Sequence, residues 1–89
     1  MKIKEGFMLK EVAGVWVVIP IGEKLMEFMN VASLTETGAL IWKLLEKGAS
    51  KEQIIQEILS EYKVDEETAR KDFDAFIAKA ADKGFLDIS

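Results

Sequence analysis

The chain has 89 residues, 49% of them hydrophobic and 31% charged, with a formal net charge of −4 and neither Cys nor His. That length supports one domain with a modest core, and the composition removes disulfides, thiolate nucleophiles, the commonest metal ligand and the commonest general base. No run approaches the roughly eighteen apolar residues of a membrane span, and MKIKEGFMLKEV carries charges where a signal peptide has its apolar segment, so a cytoplasmic protein with no membrane partner is expected.

Two short β-type runs come first, over 7–12 and 15–20, separated by Ala13 and Gly14; Val15, Trp16, Val17, Val18 and Ile19 are β-branched or aromatic, and a hairpin follows. Pro20 lacks an N–H for the ladder and ends the second run, with Ile21, Gly22 and Glu23 turning the chain. A third strand is expected over 26–32. One of its long sides stays unpaired, and Glu27 supplies the charge that keeps such an edge from aggregating.

The stretch LTETGALIWKLLEKGAS predicts a helix over 36–47, begun by Thr35, covered with Ala39, Leu40, Ile41, Trp42, Leu44 and Leu45 on more than one face, and stopped by Lys47 and Gly48. Trp42 reads as a core anchor. Ser50 and Gln53 form a capping box for a second helix over 51–62, whose apolar positions are Ile54, Ile55, Ile58, Leu59 and Tyr62. Asp65 caps a third over 66–83, with Glu66 and Glu67 in its first turn and a buried stripe of Ala69, Phe73, Phe76, Ile77 and Ala80. Phe85 to Ser89 are too few for another hairpin and are expected to dock on the core. The fold class is therefore α+β: an N-terminal three-stranded antiparallel sheet and then three helices, a winged helix-turn-helix arrangement in one domain.

Such a fold suggests nucleic acid, but the third helix argues against it. Between Glu66 and Lys83 stand five acids (Glu66, Glu67, Asp72, Asp74 and Asp82) against four cations (Arg70, Lys71, Lys79 and Lys83), a net charge of −1 where a groove reader is basic. Catalysis is no better supported. The neighbouring carboxylates are explained by helix starts and a solvated face, glycines stand singly rather than in a phosphate loop, and no calcium-loop spacing occurs, so neither an enzyme nor a cofactor nor a metal is expected.

The hairpin ending in VVIP, the run EFMNVAS, the motif TETGALIW, LLEKG followed by SKEQIIQEI, and a last helix ending in KGFL together resemble the PqqD-like family. Its members are small domains called RiPP recognition elements, which bind the leader segment of a ribosomally made precursor peptide and present it to a modifying enzyme. The resemblance spans essentially the whole chain. It implies that a leader peptide adds a strand to the third strand and lies in the groove between it and the third helix, which fits an unpaired edge offering backbone donors and acceptors. Carried over residue by residue, the pairing edge is Met26, Glu27, Phe28, Met29 and Asn30, and the facing helix stripe is Asp72, Phe76, Lys79 and Lys83. Phe76 is shared between core and groove, Lys79 and Lys83 meet acidic leader residues, and Asp72 meets a basic one.

Because nothing follows Ser89, the expected form is a free-standing adaptor, monomer or homodimer, whose partner is a separate modifying enzyme, a radical S-adenosylmethionine enzyme or another maturase. The alternatives are a nucleic-acid-binding regulator and a module whose free strand edge pairs with a second copy.

Overall fold

The architecture is that of a computed structural model, which describes residues 2–22 and 32–87. Strand β1 is Lys2–Ile3, β2 Phe7–Val12, β3 Val15–Pro20 and β4 Ala32–Leu34; helices α1 Glu36–Glu46, α2 Lys51–Glu61 and α3 Glu66–Asp82 follow, and β5 is Leu86–Asp87. Strands β2, β3 and β4 form one antiparallel sheet in that order, so this is the α+β class expected from the sequence.

The hairpin is closed by a two-residue turn in which Ala13 and Gly14 both hold positive φ, 52° and 80°, the sense that matches the right-handed twist of the strands. Glycine takes this conformation freely, whereas Ala13 bears the clash of its Cβ with backbone. Ala13→Asn is therefore expected to stabilise the fold by up to about 1 kcal/mol, read as a higher urea midpoint; a midpoint unchanged or lowered would contradict it.

Pairing in register sets Phe7 opposite Pro20, Leu9 opposite Val18 and Glu11 opposite Trp16, so alternate residues turn Phe7, Leu9, Trp16 and Val18 toward the helices. Strand β4 extends that face, with Ala32 opposite Val18 and Leu34 opposite Trp16. The ladder thus continues to Leu34, two residues beyond the expected end of the third strand, because Leu34 shares the inward parity of Ala32. The rest of that expected strand, 26–31, lies outside the described residues. On the opposite face Met8, Val12 and Val15 are exposed.

Each helix starts where a side chain takes over an orphan backbone donor. The Gly38 N–H donates to Thr35 Oγ1 at 3.0 Å, and the Thr68 N–H to Asp65 Oδ1 at 2.8 Å. At α2 the box is reciprocal: the Gln53 N–H donates to Ser50 Oγ and the Ser50 N–H to Gln53 Oε1. The three helices and the sheet enclose Ile41, Trp42, Ile54, Ile55, Ile58 and Phe73, all at most 2% exposed. Burial of each such side chain contributes roughly 1.5–3 kcal/mol before conformational entropy is subtracted.

At the chain ends Phe85 and Leu86 dock on the core as expected, and a pairing is added. Leu86–Asp87 do not merely dock: they pair with β1, Lys2 opposite Asp87 and Ile3 opposite Leu86, and the Lys4 N–H donates to the Phe85 carbonyl at 2.8 Å. The partner strand lies at the other end of the sequence, so no local pattern announces it. Phe85 is held in place by edge-on contacts with Phe7 and Trp42, at ring-centroid distances of 4.8 and 5.8 Å.

Helix α3 is tied to α2 on its outer side. Arg70 donates to Glu52 and Glu66 at 3.0 and 3.1 Å, which lowers the Glu52 carboxyl below its ordinary value; the Thr68 N–H does the same for Asp65. A carboxyl depressed in the folded state stabilises the fold above its unfolded value and ceases to do so as pH falls through the folded value. The urea midpoint should therefore fall as pH drops below about 4, and Glu52→Gln with Asp65→Asn, which keeps the cap without the titration, should flatten that acid limb. An equally steep limb in the double variant would contradict the assignment.

Candidate functional site

The first turn of helix α1 packs beside α3. Gly38 lies in that turn: a Cβ there would come within 3.3 Å of Thr35 Oγ1, tight enough to press on the cap, and would sit at 3.5 Å, an ordinary contact, from both the Leu34 Cβ and the Phe76 ring. Where β4 passes into α1, its end faces α3 across a cleft of about 380 Å³ lined by Leu34, Thr35, Thr37, Gly38, Asp72, Ala75, Phe76 and Lys79.

The geometry follows from helical spacing. Asp72, Ala75, Phe76 and Lys79 stand at i, i+3, i+4 and i+7, so they share one face of α3. Phe76 is 8% exposed, packed in the core and bordering the cleft with its remaining surface. The small Ala75 leaves room beside it. Among the described residues no strand pairs with the side of β4 turned away from β3, so that side offers backbone donors and acceptors next to the cleft.

The structure brings Asp72, Phe76 and Lys79 together as the sequence suggested. Lys83 is the C-cap of α3, one turn further on, and does not line the cleft. Met26, Glu27, Phe28, Met29 and Asn30 lie outside the described residues. The sequence reading missed Leu34, Thr35, Thr37, Gly38 and Ala75 as cleft residues. Ala75 was accessible from its spacing with Asp72 and Lys79; the other four become neighbours of α3 only through tertiary packing.

A broader concavity of about 760 Å³ runs between the end of α1 and α2, lined by Leu44, Lys47, Gly48, Ala49, Glu52, Gln53, Gln56 and Glu57. It has helical walls and no strand edge, so it gives an extended chain nothing to pair with. Elsewhere Lys43 Nζ sits 3.9 Å above the Trp16 ring, which places that indole in a cation–π contact on the inward face of β3. No three Asp or Glu among the described residues converge to hold a metal, and no described helix is long and apolar enough to cross a membrane.

Fold and cleft together define a small mixed α+β domain in which a short antiparallel sheet, ending at β4 among the described residues, stands next to a three-helix unit. Residues 16–86 match the family described as coenzyme PQQ synthesis protein D (PqqD), and the chain belongs to that family. A solved structure of TbiB1 in complex with the TbiA(beta) leader peptide is 28% identical, with a TM-score of 0.80 over 100% of this chain and 98% of that one. Lasso peptide synthetase B1 complexed with the leader peptide shares the fold at 23% identity, with a TM-score of 0.77 over 94% of this chain and 93% of that one. A search of curated proteins found no match.

Proposed function

We propose that this protein is a non-catalytic adaptor that binds the leader segment of a ribosomally made precursor peptide by strand addition and presents it to a separate modifying enzyme. The observation that carries the reading is the cleft at the end of β4 beside Phe76, next to a strand side that no described strand occupies. Two solved structures similar to this chain are complexes with leader peptides, and family membership points the same way. In this reading the guest pairs along the third strand, including Met26, Glu27, Phe28, Met29 and Asn30, and lays side chains against Asp72, Phe76 and Lys79. Lys83 acts only at the outer end of the groove.

The ion pairs on α3 weigh against nucleic acid. Arg70 is bound to Glu52 and Glu66, and Lys71 to Glu67, so two of the four cations of a would-be recognition helix are already neutralised. Selection of random displayed peptides on the immobilised full chain tests the proposal. Enriched peptides should bind with affinity that changes little between about 50 and about 200 mM salt. Failure to enrich any peptide, or tight binding of duplex DNA that weakens steeply over the same range, would overturn it.

A further inference from the structure

Charges on α3 divide into two sets. Glu66, Glu67, Arg70, Lys71 and Asp74 are engaged in ion pairs with one another or with α2. The side chains of Asp72, Lys79, Asp82 and Lys83 have no ion-pair or hydrogen-bond partner among the described residues, and of these only Asp72 and Lys79 line the cleft, at opposite ends with Phe76 and Ala75 between them. The cleft therefore has an anionic end, an apolar middle and a cationic end along one helix face.

From this we infer that the site selects a guest strand with the pattern cation–x–apolar–x–carboxylate, in one chain direction, an inference that rests on the peptide-binding reading above. In an extended segment residues i, i+2 and i+4 point to the same side and span about 13 Å, while seven helical residues from Asp72 to Lys79 rise about 10 Å. The flexible stem of Lys79 closes the difference. The cation meets Asp72, the apolar side chain rests on Phe76 and Leu34, and the carboxylate meets Lys79. Spacings of i and i+3 are disfavoured because they put one charge on the far side of the strand. Opposite-sign placement gives register and direction as well as attraction, since a reversed guest sets like charges together and one shifted by two residues sets a charge on Phe76 and leaves another unpaired.

The displayed-peptide selection, repeated on three forms of the full chain, tests this. Wild type should enrich the pattern in one order, and Asp72→Lys/Lys79→Asp should enrich it in the opposite order. Lys79→Ala should keep the preference for the cation and lose that for the carboxylate. A synthetic peptide of the enriched pattern should bind wild type about tenfold more tightly than its charge-exchanged counterpart, with the preference inverted in the double variant. Peptides enriched without the paired charges, or in the same order by wild type and double variant, would overturn the inference and leave the adaptor reading standing. No enrichment by wild type would overturn both.

Discussion

Trp42→Ala is expected to remove about 3–5 kcal/mol, the range for deleting a buried aromatic side chain and leaving the cavity. A chain of this size has a total stability on the order of 4–13 kcal/mol, so the variant should be largely unfolded in moderate urea. The size of the effect comes from position: Trp42 is fully buried, sits in the middle of α1, and meets Phe85 edge-on, so it joins the helical core to the segment that pairs the two chain ends. Its indole N–H is buried with no acceptor among the described residues. An unsatisfied buried donor costs roughly 1–3 kcal/mol, so Trp42→Phe, which removes the donor along with some volume, should cost less than about 2 kcal/mol. Equal destabilisation by Phe and Ala, measured by urea unfolding, would mean that the indole N–H contributes a bond of its own.

Ala75→Trp is the second large effect, and it acts on binding rather than stability. Ala75 is exposed, on the outward side of α3, yet it lines the cleft between Asp72 and Phe76. An indole there fills the space a guest side chain would use. Stability should change by no more than about 0.5 kcal/mol, as for most surface substitutions, while affinity for peptides selected on wild type should drop at least tenfold, about 1.4 kcal/mol. Full affinity in a folded Ala75→Trp variant would move the guest elsewhere, and the groove between α1 and α2 would be the next place to look.

Most of the scaffold was legible because its signals are local. Thr35, Ser50 with Gln53, and Asp65 announce three helix starts, each confirmed by a backbone donor within 3.2 Å of the capping oxygen, and Ala13–Gly14 announces the turn. What escaped was what depends on distant partners. Ile3 and Leu86 are paired across almost the full length of the chain, and the end of β4 at Leu34 is set by its place opposite Trp16. Gly38 lies against Leu34 and Phe76 as well as the Thr35 cap, a neighbourhood that no pattern in TETGALIW states. On the site, helical spacing sufficed to group Asp72, Phe76 and Lys79, while Lys83, the C-cap of α3, stands a turn beyond the cleft lining.

The central claim is that a guest strand lies along β4 against α3. Amide hydrogen exchange of the full chain, with and without a selected peptide at saturation, addresses it most directly. New protection should appear along the third strand, at 26–30 and Ala32–Leu34, and on the Asp72–Lys79 face, with the outer edge of β2 unchanged. Protection appearing instead along 47–57, or on β2, with β4 exchanging as before, would contradict the account.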